Sequence, residues 1–450
     1  MKGLGMAELL AIEIPGGHGR MWAEKTEDGK VLVHRHASRG GVRNVIENYD
    51  SIGPDGRSEL KPLTDEIAIH ILKQVASGVP YSSAFIIETN APDPMLDMRK
   101  TEAEHRWTST GIKFWRHAEQ MTAYRNGDGH TVVSSHISPE GACNLKCPYC
   151  SVTYRDTHSR IDYAVIEQYV TDLQSRGLKA IILTGGGEPT IYPKFNELVQ
   201  WLKFDRQLSV ALITNGTQAH RIVDKTWKAF SWVRVSINVF DGWEEKIRLP
   251  HHLLNPDCIV GCSMVYTSEH QSTKQKFDGR MDILRRAAKV ADNVGATYVR
   301  TQPNCILDKR ALMLQHKALN YDLQELGDKR FFHQHKDHLT PKAHTCHQAH
   351  FRPYLSEEKF QGTGQPGTVL PCDSVCLVDA YQYFAQEYHI CHASQVLDFL
   401  DGKLKMKFDP TKRCSGCVFS RSVDMLDDWK NIGMERFSEF PEPLVHEEFV

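Results

Sequence analysis

Three cysteines lie close together in the sequence CNLKCPYC: Cys143, Cys147 and Cys150. Their C-x3-C-x2-C spacing follows an extended run, residues 131–138, so one loop can bring three thiolates to a single iron–sulfur cubane. Three ligands for four irons would leave one iron open. A zinc site, the alternative, normally closes with a fourth Cys or His at short spacing. No such residue follows within the next several positions.

A second run of residues that could take part in chemistry is LTGGGEPT, which follows the next apolar segment of the chain. Gly185, Gly186 and Gly187 allow the backbone to approach a ligand closely. Glu188 supplies a carboxylate for a cation. Taken alone, such a run could equally be a plain turn or a phosphate-binding loop.

Together, the cysteine triplet and the Gly-Gly-Glu run resemble the motifs of the radical S-adenosylmethionine (SAM) enzymes. In that family three cysteines hold a 4Fe–4S cluster whose open iron chelates the amino and carboxylate groups of SAM. The reduced cluster cleaves SAM to methionine and a 5′-deoxyadenosyl radical, which abstracts a hydrogen from the substrate. The resemblance implies that Tyr149 lies near the adenine. It also implies that the strand end of Gly186, Gly187 and Glu188 holds the SAM amino group.

Four further residues are expected to contact the cofactor because family members carry similar strand ends. Asn215 follows the third strand-like run, and Ser236 and Asn238 lie on one face of the fourth because strand side chains alternate. The family often uses polar side chains there on the ribose and carboxylate of SAM. Many members have Asp in place of Asn238, for which a structural hydrogen bond is the alternative. Arg300 could pair with a carboxylate of SAM or substrate, or form a structural ion pair.

The elements that position these residues alternate between strand-like and helix-like patterns from residue 131 to about 304. Six β/α units predict an α/β fold with a parallel sheet, curved as a partial (β/α)6 barrel of the TIM type. Active sites in such sheets lie at the C-terminal ends of the strands, where both motifs fall. The strand-like runs are 131–138, 178–184, 208–214, 233–239, 258–266 and 297–301.

A later set of cysteines resembles the C-terminal SPASM or twitch extension of radical SAM enzymes, which implies an auxiliary 4Fe–4S cluster. Its expected ligands are Cys346, Cys372, Cys414 and Cys417. Zinc held by the same four residues is the alternative. Cys376 and Cys391 are left without a role, and three others, Cys258, Cys262 and Cys305, are expected to be small core residues.

Histidines are frequent in the segment before and around Cys346. They suggest a metal site, but no strict zinc spacing is present, and a polar connector is the preferred interpretation. The histidines are His333, His335, His338, His344, His347 and His350.

The expected organisation has four parts. Residues 1–130 form an N-terminal α+β extension that could recognise substrate, 131–335 the radical SAM partial barrel, 336–435 the auxiliary-cluster domain and 436–450 a C-terminal tail. Residues 64–87 have a helix–Gly–helix outline, which fits a DNA-binding helix-turn-helix or two packed helices of a cap. Nearby, Phe114 and Trp115 are expected to pack on the barrel. Three polar neighbours are expected on a solvated face: Lys113, Arg116 and His117.

The composition is that of an ordinary globular protein, with 41% hydrophobic and 24% charged residues. The formal charge of -2 creates no global field that would attract nucleic acid or an anionic membrane, although a local basic groove is compatible with it. No apolar run of transmembrane length and no export signal are present, so a cytoplasmic location is expected. Twelve cysteines in clustered spacings then indicate ligation in a reducing compartment rather than disulfides.

The expected function is radical abstraction of a hydrogen from a modified nucleobase or nucleoside, including a base in DNA, for rearrangement or oxidation. Modification of a ribosomal peptide is the alternative enzyme function. The alternative that is not an enzyme is a DNA-binding regulator containing a metal or cluster. Residues 185–188 argue against it, because a regulator has no need of a SAM pocket. The expected partners are an electron donor such as flavodoxin or ferredoxin and the substrate, with no membrane.

Overall fold

The structure is a computed structural model, and the chain divides into two compact units, Met1–Asp97 and Met98–Val450. Several expectations lie outside the described residues, namely the helix-turn-helix at 64–87, Asn238, Cys305, Cys376 and Cys417. The described residues are 8–13, 20–25, 31–35, 102–109, 111–147, 149–237, 246–266, 273–304, 309–334, 345–375, 381–414, 419, 423, 426, 429–430 and 445–450.

The first unit contains a three-stranded antiparallel sheet in the order β1-β2-β3. Its strands are β1 (Glu8–Glu13), β2 (Arg20–Lys25) and β3 (Val31–Arg35). Direct pairing of consecutive strands is the usual result of short antiparallel connections.

The second unit is built on a ten-stranded sheet in the order β10-β9-β8-β7-β6-β5-β4-β11-β12-β13. All six predicted strands are present and parallel, which confirms the α/β class. They are β4 (Ser134–Ile137), β5 (Ala180–Leu183), β6 (Ser209–Thr214), β7 (Phe230–Ile237), β8 (Ile259–Tyr266) and β9 (Tyr298–Pro303).

Four further strands extend this sheet. A short strand, β10 (Phe331–His333), is parallel to β9. On the other side, β11 (Tyr354–Lys359) is parallel to β4, and β12 (Pro366–Leu370) and β13 (Cys391–His392) follow antiparallel. Strands from the region expected to form a separate auxiliary domain therefore share backbone hydrogen bonds with the barrel sheet.

The helices of the second unit include the crossovers that parallel strands require. The predicted helical patterns at 161–175 and 280–293 correspond to α3 and α6. The helices are α1 (Glu102–Trp107), α2 (Ala118–Asn126), α3 (Tyr163–Gln174), α4 (Phe195–Gln200), α5 (Asp224–Trp227), α6 (Thr273–Asn293), α7 (Lys309–Leu326), α8 (Gln348–Phe351), α9 (Tyr381–Tyr388), α10 (Val396–Leu400) and α11 (Pro410–Arg413). Among the described helices, none combines the length and apolar character needed to cross a bilayer.

The main core lies between the helices and one face of the parallel sheet. Along β7, Val233 and Val235 belong to this core, whereas the alternate residues Trp232, Arg234 and Ser236 line an interior cavity. The side-chain period of two thus separates an apolar packing face from a polar lumen on the same strand. On α3, Ile166, Tyr169, Val170 and Leu173 form the matching buried stripe.

A second core cluster joins residues before the barrel to residues near position 450. Phe114 packs in it with Phe351 at a ring-centroid distance of 4.9 Å, as expected, while the side chain of Trp115 lies outside the described set. The prediction of a solvated face is wrong for Lys113 and His117, because both side chains are buried. Residues 445–450 cover both side chains and supply backbone oxygens.

Backbone oxygens of residues 445–450 are hydrogen-bond partners for the buried side chains of Lys113 and His117. Lys113 Nζ donates to Val445 O at 2.8 Å, and His117 Nε2 lies 3.0 Å from Glu447 O. Burial lowers the pKa of Lys113 to about 8, because desolvation disfavours its charge.

Candidate functional site

The cysteine loop leaves β4 at the C-terminal edge of the sheet. Cys143, Cys147 and Cys150 are half-buried. Arg155 holds the loop together, because its Nε donates to Gly141 O at 2.8 Å and its Nη1 lies 3.4 Å from Cys150 Sγ.

The donor set of this loop fits a cluster. Burial is the largest effect on Cys143 and raises its pKa; the Glu188 carboxylate also raises it, and Arg155 lowers it. Among the described residues, which include every residue of this loop except Pro148, no three Cys, His, Asp or Glu side chains form a group that could hold a metal ion. The fit therefore rests on three thiols from one loop with a guanidinium beside them, which is the ligand chemistry of an iron–sulfur cluster.

The strand end after β5 lies directly against the segment that leads into the cysteine loop. Gly187 N donates to Glu140 O at 3.0 Å, and Glu188 N donates to Ala142 O at 2.8 Å. A Cβ on Gly187 would lie 2.1 Å from Ala142 O, a distance that real side chains do not adopt. The close approach expected at this glycine is thus made to the protein's own backbone, which joins the two motifs.

Glu188 is buried and accepts hydrogen bonds from two strand ends. Thr214 Oγ1 donates to Oε1 at 2.5 Å, and Asn215 N donates to Oε2 at 2.8 Å. Thr190 donates to Oε1 through both its hydroxyl, at 2.6 Å, and its backbone N–H, at 3.3 Å. Desolvation raises the pKa of Glu188, although these hydrogen bonds act to lower it. The geometry gives this carboxylate a positioning role between β5 and β6, and a direct contact with SAM stays a prediction.

Asn215 connects the third strand end to the cysteine loop. Its Nδ2 donates to Asn144 Oδ1 at 2.9 Å, and Asn144 Nδ2 donates to Thr217 Oγ1 at 2.8 Å. Sequence reasoning selected Asn215 but missed Asn144 and Thr217. The position of Asn144 directly after Cys143 was the available signal.

A cavity of about 330 Å³ opens inside the sheet at these strand ends. Ser236 and Arg300, both expected to contact the cofactor, line it together with Gly185. Ser151 and Val152, which follow the cysteine loop, reach the same cavity. The structure therefore gathers residues from the loop, β5, β7 and β9 around one space, while Tyr149 is half-buried within the loop.

Glu357 on β11 is a buried carboxyl group at this edge that sequence reasoning missed. A Cβ added to Gly186 would lie only 2.0 Å from the Oε1 atom of Glu357, so the carboxyl group occupies the space beside this glycine. Burial raises the pKa of Glu357 to about 7, and a hydrogen bond with Ser138 opposes the shift. A lone Glu in a strand gives no pattern that reveals this placement.

The second cysteine set surrounds a small aromatic core. Cys346, Cys372 and Cys414 are half-buried and pack against one apolar cluster, while Cys417 lies outside the described residues. The cluster consists of Tyr354, Leu370, Val375, Tyr381, Tyr388 and Phe408. Of the other cysteines, Cys262 and Cys391 are buried in the main core, and Cys258 packs against it.

The described histidines of the His-rich segment are buried rather than part of a polar connector. His333 lies beside His316, whose ring centroid is 4.8 Å away. His350 stacks on Phe399 at 4.7 Å, and burial lowers its pKa to about 4. His347 is buried against Tyr124. These three histidines pack in the interior, and His333 and His347 also make side-chain hydrogen bonds, which spacing alone does not reveal. His335, His338 and His344 lie outside the described residues.

Comparison with known proteins agrees with the motifs. Residues 137–299 match the family described as the radical SAM superfamily. This span is a radical SAM domain. It begins at the last residue of β4 and ends at the second residue of β9, so it contains β5 to β8 together with the cysteine loop and the Gly-Gly-Glu strand end.

Two curated relatives are similar to a part of the chain. The chain is 31% identical over 116 residues to GTP 3′,8-cyclase of Chlorobaculum tepidum, covering 25% of this chain and 35% of the relative. It is 38% identical over 94 residues to 7-carboxy-7-deazaguanine synthase of Haemophilus influenzae, covering 21% of this chain and 42% of the relative. The chain thus spans less than half the length of these two relatives.

Among solved structures, Streptococcus suis SuiB bound to the precursor peptide SuiA shows a broad but weak similarity. It covers 83% of this chain and 85% of SuiB, at 12% identity and a TM-score of 0.39. A TM-score this low supports no argument about substrate.

Proposed function

We propose that the protein is a radical SAM enzyme acting on a nucleobase, nucleoside or nucleotide. The observation that carries this proposal is the joining of the cysteine loop to the Gly-Gly-Glu strand end, beside a cavity inside a parallel sheet. A regulator without catalysis has no need for a SAM pocket at such an edge. The cluster and SAM, when bound, supply the one-electron cleavage that gives a 5′-deoxyadenosyl radical for hydrogen abstraction.

The chain's own residues bind and orient the reacting groups. Cys143, Cys147 and Cys150 would hold the cluster, and Arg155 would balance thiolate charge. The hydrogen bonds from Asn215 to Asn144 and to Glu188 fix the loop relative to β5 and β6. Preorganisation of this kind reduces the freedom lost when a reactive complex forms.

The remaining contacts to SAM follow from the family resemblance. In this proposal Tyr149 lies against the adenine, and the backbone at Gly186 and Gly187 faces the amino group. Ser236 and Asn238 bind the ribose or the carboxylate.

A second cluster completes the proposal, held by Cys346, Cys372, Cys414 and Cys417. Its support is the placement of the three described cysteines around one aromatic core. It would exchange an electron with the substrate radical or orient the substrate, and a flavodoxin- or ferredoxin-type donor would reduce the first cluster.

Two curated relatives favour a nucleotide or nucleobase substrate, since their names specify cyclisation of GTP and synthesis of a carboxy-deazaguanine. The test is anaerobic reconstitution followed by measurement of 5′-deoxyadenosine with SAM and a strong reductant. Guanosine, GTP, duplex DNA and candidate peptides are added in parallel. Stimulation by a nucleoside, nucleotide or DNA supports the proposal, and stimulation by a peptide alone would replace it with peptide maturation.

A further inference from the structure

Two glutamine side chains lie together in one wall of the cavity inside the sheet. Gln302 is on β9 and Gln334 directly follows β10, and both line the cavity. His333 pairs with Thr301, so the residues that come next on these parallel strands, Gln334 and Gln302, are neighbours. The backbone N–H of Gln334 donates to Thr301 O at 2.7 Å and fixes this register. The fold therefore holds two carboxamides side by side, about 4.8 Å apart at their backbones.

The carbonyl oxygens of these carboxamides have no donor from the protein. Oε1 of Gln302 and Oε1 of Gln334 are both buried, and neither has a hydrogen-bond partner within the described part of the chain. A buried acceptor without a donor is destabilising, so native structures satisfy nearly all of them. Rotation of the terminal amide can turn either oxygen towards the lumen without moving the backbone. Two such acceptors on neighbouring residues indicate a ligand that brings two donors.

This wall lies across the lumen from the cysteine loop. In the order of the sheet, β8, β7 and β6 stand between β9 and β5. The spacing of neighbouring strands gives a separation of about 19 Å along the sheet between β9 and the strand that ends in the Gly-Gly-Glu run. Ser151, Val152 and Gly185 line the same cavity from the cysteine-loop side. A ligand on the two glutamines would thus occupy the side of the cavity away from the cysteine loop, as a substrate placed beside SAM would.

Among the common nucleobases, guanine presents two neighbouring donors on one edge. These are N1–H and the exocyclic 2-amino group. Adenine and cytosine each present one amino group next to acceptor nitrogens, and uracil and thymine present one N–H between two carbonyl oxygens. Hypoxanthine keeps the N1–H of guanine and lacks the amino group. A pair of adjacent acceptors therefore matches guanine better than the other bases.

We propose that Gln302 and Gln334 form the base-recognition wall of the substrate site and accept hydrogen bonds from N1–H and the 2-amino group of a guanine base. The inference rests on the proposed function and narrows its substrate class to guanine nucleosides and nucleotides. It assigns two specificity-determining residues that the family resemblance does not include. A site built to pair with a donor of its substrate rejects an analogue that lacks this donor, because the buried acceptor is then left unpaired.

The experiment measures nucleotide binding to the full chain by calorimetry. The protein is loaded with oxidised clusters and saturated with SAM without a reductant, so that SAM is not cleaved. The probes are the 5′-monophosphates of guanosine, inosine and adenosine (GMP, IMP and AMP), which differ only in the base. GMP should bind about tenfold more tightly than IMP, and AMP no more tightly than IMP. Equal affinities for the three nucleotides, or binding of none of them, would overturn the inference.

Variants identify the residues responsible. Gln302→Leu and Gln334→Leu remove one acceptor each and should each lower GMP affinity about tenfold. One of the two should also abolish the preference for GMP over IMP, because it removes the partner of the 2-amino group. Gln302→Glu and Gln334→Glu keep an acceptor oxygen and should retain the preference. Gln168→Leu, at an exposed position on α3, is the matched control and should bind GMP as the wild type does.

The affinity of the same variants for SAM tests the assignment to the substrate. Weaker GMP binding with unchanged SAM affinity supports the inference. If the leucine variants weaken SAM binding and leave GMP binding intact, the two glutamines serve the cofactor and the inference fails. Weaker GMP binding with the GMP preference over IMP unchanged in both leucine variants would show a structural role and also overturn it. Circular dichroism checks folding, and if a leucine variant does not fold, the wild-type affinities for the three nucleotides still decide.

The 5′-deoxyadenosine assay separates this inference from the proposed function. A protein that prefers GMP to IMP but never cleaves SAM would overturn the radical chemistry and support the base-recognition wall. A protein that cleaves SAM but binds GMP, IMP and AMP equally would do the reverse.

Discussion

The two cysteine regions of the second unit are assembled in different ways. Cys143, Cys147 and Cys150 come from eight consecutive residues, and their loop is fixed by hydrogen bonds to neighbouring strand ends. Cys346, Cys372 and Cys414 come from three separate segments and pack against one aromatic core. The first region depends on local backbone geometry and the second on tertiary packing, so each should respond to a different kind of change.

The largest expected effect comes from removing each cysteine set separately. The reconstituted wild type should hold about eight irons, because a 4Fe–4S cluster takes four in each region. Changing Cys143, Cys147 and Cys150 together to Ala should leave about half of that iron. Changing Cys346, Cys372 and Cys414 together should leave the other half.

Iron and zinc analysis of both triple variants, with circular dichroism as a folding control, checks this prediction. If the first variant loses all its iron, or if the wild type holds only zinc, the assignment of two independent clusters is wrong.

The next effect concerns the backbone contact that is particular to the first region. Gly187→Ala would place a Cβ 2.1 Å from Ala142 O, a backbone atom that cannot move without displacing the cysteine loop. We expect a loss of about 1–3 kcal/mol in the free energy of unfolding together with reduced iron in the first region. Urea unfolding and iron analysis measure the two quantities.

Gly402→Ala provides the matched control for that substitution. Gly402 has a φ of +74° and nothing within 4 Å of an added Cβ, so the change costs only backbone strain, roughly 1 kcal/mol. Its iron content should equal that of the wild type. A Gly187→Ala protein with normal iron and normal stability would show that the two motifs are not joined as described.

A pH-dependent effect should appear at β11, which lies between β4 of the first region and β12 of the second. Burial raises the pKa of Glu357 from 4.5 to about 7, so the folded state binds its proton more tightly than the unfolded state does. Stability should therefore fall as pH rises from 4.5 to about 7, where the folded carboxyl loses its proton. The loss should be on the order of 3 kcal/mol.

Urea midpoints of the wild type and Glu357→Gln, taken at the two ends of this window, measure the difference. The variant should lack this part of the pH dependence, whereas Glu119→Gln, at an exposed position, should retain it. If the urea midpoints of the wild type and Glu357→Gln depend on pH in the same way, the Glu357 carboxyl is not buried as described.

Local patterns predicted the parts of the fold that depend on neighbouring residues. The six parallel strands follow from apolar runs separated by helical patterns, and the cysteine loop follows from its own spacing. Strand β10 was missed because three residues give too short a pattern. Lys113 and His117 were misjudged because residues 445–450, more than 300 positions away, supply their partners.

Long-range pairing explains the other gaps. Glu188 offered a carboxylate in sequence, but only the fold shows that Thr214 and Asn215 occupy its oxygens. Glu357 reaches Gly186 because β11 pairs with β4, a connection that no local pattern contains.

The central claim is that the loop of Cys143, Cys147 and Cys150 carries a cluster that cleaves SAM. The most direct test is 5′-deoxyadenosine formation by the reconstituted wild type, Cys147→Ala and Cys258→Ala with SAM and a strong reductant. Cys258 is the matched control, because burial raises its pKa to about 12 and keeps it a thiol in the core. We predict product from the wild type, slowly even without substrate, and from Cys258→Ala, with none from Cys147→Ala. Equal product from Cys147→Ala, or none from a cluster-loaded wild type, would contradict the claim.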